Sequence, residues 1–279
     1  MIAVQKEAPS PSLRFPYRLA IASGKGGVGK TSVSINLAIA LQKSGRQVSL
    51  IDADLGLANV DIALGLRPRY DLSQWLSGQG SLNQLFVEGP FGLKILPAVS
   101  GCSELASLDE VRRQQLLNQV EQEQSQADFS LMDVGAGVDP VALGFAASAD
   151  QVIVVVTDTP TSLADSYALI KILNRERSVR NVQILANMTD QTSGIEIYNR
   201  LSQAAERFLD LNLGFLGSIP RDDLFSTSLK RRRSLLETFP KSEGALALKF
   251  VAEQVDKLSG NRNSSDLETA RATNVRLLA

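Results

Sequence analysis

The segment IASGKGGVGKTSVSINLA, Ile21 to Ala38, constrains the fold more than any other part of the chain. Its start reads as a strand and its end as a helix, with Gly24, Gly29, Lys30 and Thr31 matching the pattern G-x-x-x-x-G-K-[ST] between them. That pattern works only as a strand–turn–helix unit. Glycines let backbone N–H groups converge on phosphate oxygens, and the helix behind them adds partial positive charge. Gly24, Gly26, Gly27, Val28 and Gly29 are therefore candidate phosphate contacts, with Ser32 next in line. Lys30 would reach the β- and γ-phosphates, and the Thr31 hydroxyl would ligate Mg²⁺. The pattern does not ask for Lys25, which needs a separate reason.

The rest of the chain suits such a unit. Apolar, β-rich runs at 18–23, 47–52, 93–98, 129–133, 151–157, 182–187 and 213–219 read as strands. Helical patterns separate most of them, among them Lys30–Ser44, Ser162–Asn174 and Gly194–Leu209. Buried strands alternating with amphipathic helices predict an α/β fold: one P-loop NTPase domain with a mostly parallel twisted sheet and helices on both faces. The domain is expected over 17–258, after a flexible Pro- and Ser-rich arm at 1–16 and before a polar, disordered tail at 259–279.

Absences narrow the chemistry. The 279 residues include no histidine and one cysteine, Cys102. Triads and metal sites built on histidine are excluded, as are intramolecular disulfides and cysteine clusters. A net charge of −1 argues against wholesale nucleic-acid binding. The N-terminus is not built like a signal peptide, and no apolar run approaches the ~18 residues of a membrane span. A cytoplasmic protein is expected.

Three acids follow strand candidates. In LIDADLGLANVD, Asp52 and Asp54 stand two positions apart, and only one is expected to face a nucleotide squarely. The other would support the metal shell or the local backbone. Asp133, in FSLMDVGAG, ends a buried strand where a Walker-B acid holds Mg²⁺ through water. Gly135 and Gly137 allow a mobile turn behind it, whose amide could sense the γ-phosphate.

KGGVGKT, Lys25 to Thr31, resembles the deviant Walker A motif of the MinD/ParA ATPases. The segments DADLGLANVD (52–61), TDTPTSLADSYALIKILNR (157–175), ANMT (186–189) and SIPRDD (218–223) are similar to one branch, the flagellar number and placement regulators of FlhG or FleN type. The resemblance implies that Lys25 reaches the phosphates of a second subunit in an ATP-bound homodimer, as an arginine finger would. It implies that Asp54 orients the attacking water and joins Thr31 and Asp133 at the metal, with Asp52 assisting. Asn59 would belong to the switch that responds to the γ-phosphate. Asn187 would read adenine, and Pro220, Arg221 and Asp222 would close over the base. ATP is favoured over GTP because N-K-x-D is missing. The implied protein partner is a flagellar transcription regulator or an assembly GTPase, with recruitment to a cell pole or membrane.

Some departures bear on function. Val134 stands where the family commonly has a hydroxyl, which keeps a scaffold with little hydrolysis in view. The arm lacks a D-Q-A-type motif, and the tail lacks a basic amphipathic helix for a membrane. LKRRRS (229–234) reads as a solvated helix face, against the alternative of a DNA patch in a ParA- or MinD-like positioning ATPase. RRQQ (112–115) reads as exposed helix, and Trp75 and Leu76 as core.

Overall fold

The computed structural model describes residues 15–54, 58–70, 72–79, 81–98, 109–123 and 126–260. Most of the expected arm and tail, and Cys102, lie outside the described residues.

The core is an eight-stranded sheet made of β1 (Tyr17–Ala22), β2 (Val48–Ala53), β3 (Val87–Glu88), β4 (Lys94–Leu96), β5 (Phe129–Val134), β6 (Gln151–Val156), β7 (Val182–Asn187) and β8 (Gly214–Ile219). The order is β3-β4-β2-β5-β1-β6-β7-β8, and all pairings are parallel except β3 with β4. The α/β architecture expected from the sequence is the one observed. Strand β3 was not expected: two residues are too few for any periodicity to register.

Side chains of β1 alternate between two apolar layers, Leu19 and Ile21 on one face and Ala20 and Ala22 on the other. Helices α1 (Lys30–Lys43), α2 (Val60–Leu64), α9 (Leu235–Thr238) and α10 (Glu243–Gly260) bury their apolar residues in the first layer. Helices α4 (Glu110–Glu123), α5 (Pro140–Ala147), α6 (Pro160–Arg177) and α7 (Gln191–Leu209) fill the second. Both faces being covered is why the strands read as continuous apolar runs. The short α3 (Leu72–Leu76) and α8 (Leu224–Lys230) complete the described α-helices.

Local readings need correction in places. Helix α6 starts at Pro160 rather than Ser162, because Thr159 caps it by accepting from the Ser162 N–H and proline suits the first helical position. LKRRRS is not one helix face: α8 stops at Lys230, and Arg232 adopts φ 54° in the turn beyond. In RRQQ, Arg113 is buried rather than exposed; it pairs with Glu110 and lies against Gly144 of α5. Trp75 and Leu76 pack half-buried on the core, the Trp75 Nε1–H donating to Gln119 Oε1 at 2.6 Å.

Candidate functional site

Strand β1 sits between β5 and β6, and the chain leaves it toward β2 on one side and later fills β6, β7 and β8 on the other. Ligands of open α/β sheets bind at such a reversal, outside the carboxyl ends of the strands. Register aligns Ile21 of β1 and Asp52 of β2 with Asp133 of β5, so these strands end level with one another. Pairing in parallel register puts the Asp52 and Asp133 side chains side by side.

Helix α1 opens directly behind the glycine loop. Gly29, at φ 87°, occupies the left-handed region, and the helix has no side-chain cap there and no acid in its first turn. Its leading N–H groups therefore point to whatever sits over the loop. Asn187, buried at the end of β7, donates from Nδ2 to the Val28 carbonyl at 2.7 Å and pins the loop.

Asp133 is only 1% exposed and accepts from Lys30 Nζ at 2.8 Å, Thr31 Oγ1 at 2.7 Å and Ser34 Oγ at 2.7 Å. Sequence reasoning missed Ser34, although its spacing from Lys30 by one helical turn was the available signal. Lys30 also lies 3.8 Å from Asp54 Oδ2. One ammonium thus stands between two carboxylates, with Thr31 at the rim.

Asp52 faces away from the cleft. Fully buried, it accepts from the backbone N–H groups of Asp54 (3.2 Å), Asn59 (3.0 Å) and Val60 (3.1 Å). Its carboxylate thus closes the loop that carries Asp54 and Asn59; Leu55–Leu57 lie outside the described residues. Burial pushes the Asp52 carboxyl up to about 7, and neighbouring Asp133 adds to the rise against the pull of the three N–H donors.

A cleft of about 480 Å³ gathers Lys25, Gly26, Gly27, Gly29, Lys30 and Thr31 from the loop, and Asp54, Asn59 and Gly135 from the segments that follow β2 and β5. Asp139, a residue the sequence reading passed over, joins them while capping α5 through the Val141 and Ala142 N–H groups. The Asp139-Pro140 pair was its signal. A second cavity of about 260 Å³ begins at Ser32 and is walled by Asn187, Pro220, Arg221 and Asp222. The Asp222 carboxylate is engaged by the Leu224 and Gly244 N–H groups, so it shapes that wall. Gly24, Val28, Asp52 and Asp133 do not line either cavity.

The donor set fits Mg²⁺ with a nucleotide. Among the described residues no cluster of three or more Asp, Glu, His or Cys forms a protein-only metal cage. A hydroxyl (Thr31) beside one or two carboxylates (Asp133, Asp54) is what Mg²⁺ uses when phosphates and waters complete its octahedron.

Lys25 and Gly24 also touch α6. Lys25 Nζ donates to Thr161 Oγ1 at 2.8 Å, at the start of α6. A Cβ at Gly24 would fall on the backbone of Asp165 and Ser166, so this glycine is required by close approach to α6. Gly24→Ala is expected to cost about 1–3 kcal/mol or more of stability, because backbone cannot yield as a side chain can. Thermal unfolding of the variant measures it.

A model of the CobQ/CobB/MinD/ParA nucleotide binding domain matches residues 19–235. The chain belongs to this family. Among relatives, the antiactivator FleN of Pseudomonas aeruginosa is 40% identical over 239 residues, 85% of either chain. The flagellum site-determining protein YlxH of Helicobacter pylori is 32% identical, over 87% of this chain and 80% of its own. MinD of Pyrococcus horikoshii, solved with Mg-ADP, superposes with a TM-score of 0.71 at 27% identity, covering 89% of this chain and 99% of that one. The CobQ/CobB/MinD/ParA match runs from within β1 to the first residue of α9, so it reaches every strand and both cavities. No described helix is long and apolar enough to cross a membrane.

Proposed function

We propose that this chain is a slow ATPase that works as a dimerisation switch. The observation that carries the reading is the pair of lysines. Lys30 is buried against Asp133, whereas Lys25 lines the same cleft and is exposed. In this reading ATP lies with its phosphates on the loop and its base in the cavity beside Asn187 and Pro220. Lys30 exchanges part of its hold on Asp133 for the β- and γ-phosphates. Mg²⁺, held by Thr31 with Asp133 and Asp54, would supply charge neutralisation for the transferring phosphoryl group. Asp54 orients the attacking water. Among the described residues no strong base lines the cleft, so positioning sets a slow rate. Lys25 supplies its charge to the nucleotide of a second copy, which makes ATP binding and dimerisation one event.

Similarity to FleN and YlxH supports a flagellar setting, with number or placement controlled through a transcription regulator or an assembly GTPase. A DNA-positioning role would rest on the exposed cations after α8. Two of them are already engaged, Arg231 over the Phe239 ring and Arg233 with Glu237, which favours the protein partner. Light scattering tests the switch. Mass should double with ATP and Mg²⁺, stay monomeric with ADP, and stay monomeric with either nucleotide in Lys25→Ala. A Lys25→Ala protein that still dimerises with ATP would remove the trans role.

A further inference from the structure

The cis position of Lys25 carries an inference that rests on the switch reading and deepens it. Three observations bear on it. First, Lys25 Nζ is bonded to a neutral hydroxyl, Thr161 Oγ1, at 2.8 Å rather than to a carboxylate. Second, Thr161 is the second residue of α6, behind Pro160, so the ammonium rests at the positive end of a long helix, where the dipole disfavours a cation. Third, the residue before it, Gly24, is wedged on the backbone of Asp165 and Ser166, one turn further along the same helix. The root of the lysine is fixed to α6 while its tip is held there by a single weak bond.

We infer that Thr161 is a positioning residue that parks Lys25 on its own subunit, at the rim of the cleft and away from the Lys30–Asp133 pair. Thr161 does not line the cleft, whereas Lys25 does, so the bond draws the ammonium outward. An exposed hydrogen bond to a hydroxyl, opposed by the helix dipole, is worth little. It is strong enough to keep the charge out of its own phosphate site and weak enough to be exchanged for the phosphates of a second copy. Breaking it sets a threshold for dimerisation, because Lys25 must leave Thr161 before it can cross.

The test uses the full chain with Thr161→Val, which keeps the shape and removes the hydroxyl, and Thr161→Ser, which keeps the hydroxyl. The first readout is the rate at which an amine-acylating reagent modifies Lys25 in the nucleotide-free protein, followed by peptide mass spectrometry. The second is the ATP concentration that gives half-maximal dimer by light scattering. For Thr161→Val, faster acylation of Lys25 and a lower ATP midpoint are expected, each by about two- to fivefold, the factor equivalent to one modest hydrogen bond. Thr161→Ser should match the wild type in both. Unchanged acylation in Thr161→Val, a serine variant that behaves like valine, or a raised ATP midpoint would overturn the assignment. A wild-type protein that never dimerises with ATP would instead sink the switch reading, while the acylation rates would still decide the parking contact.

Discussion

Replacing Lys30 with methionine is expected to lower ATP hydrolysis by at least about a hundredfold, the scale set by removing one preorganised charge from a phosphoryl or oxyanion site. The same change should destabilise the fold. Lys30 and Asp133 are 6% and 1% exposed, and removing one member of a buried pair leaves a charge without its counterion, at roughly 3–5 kcal/mol. The hydroxyls of Thr31 and Ser34 still donate to Asp133, which places the expected loss toward the lower end of that range. A fall in melting temperature on the order of 10 °C follows for a domain of this size. The two effects separate in a double variant. Adding Asp133→Asn to Lys30→Met removes the stranded charge and should restore most of the stability, while activity stays lost. If the single variant melts with the wild type, the ammonium is not the counterion of Asp133.

Asp52→Asn should move stability and activity in opposite directions. The folded carboxyl is raised to about 7, above its ordinary value of 3.8. The folded state therefore holds a proton that the unfolded chain releases between those limits. Its contribution to stability is complete below pH ~4 and is lost as pH rises through 7, a change of about 4 kcal/mol over some three pH units. Unfolding by denaturant at pH 5 and pH 8 should show wild-type stability falling across this window. Asp52→Asn should give a flatter profile and equal or greater stability at pH 8. Hydrolysis should drop about tenfold in kcat with KM little changed, because the amide holds the Asp54, Asn59 and Val60 N–H groups less firmly than a carboxylate does. A variant that instead loses ATP affinity with kcat intact would place Asp52 at the nucleotide and not behind the loop.

Residues with strong local signatures were legible in the sequence. Gly29, Lys30 and Thr31 sit in a motif whose spacing dictates its geometry, and the apolar runs around them placed most of the parallel sheet within a residue or two. Asp52 and Asp54 stand two positions apart and would share a face of an ideal strand, so period alone could not tell their roles apart. Which of them closes the loop and which faces Lys30 depends on pairing with β5, eighty residues later. Thr161 was beyond reach for the same reason: its bond to Lys25 spans 136 positions and leaves no local trace. Arg113 was misjudged because its helix reads as polar, and only the glycine opposite, Gly144, makes room for it. Composition and period report on a residue's own element; these side chains answer to a different one.

The placement of β1 has a bearing on how the molecule is made. Its partners are β5 and β6, so Tyr17 must wait for Phe129 and Leu19 for Gln151 before the first strand is held on either side. The loop and the head of α1 cannot acquire their wall at Asn187 or Pro220 until the long stretch of chain between them has been made. Parallel pairings over such distances are slow to close. A nascent chain should thus bind no nucleotide until late in its synthesis, and one truncated before β7 should be retained by chaperones and cleared by proteases, sparing the cell a half-built nucleotide trap.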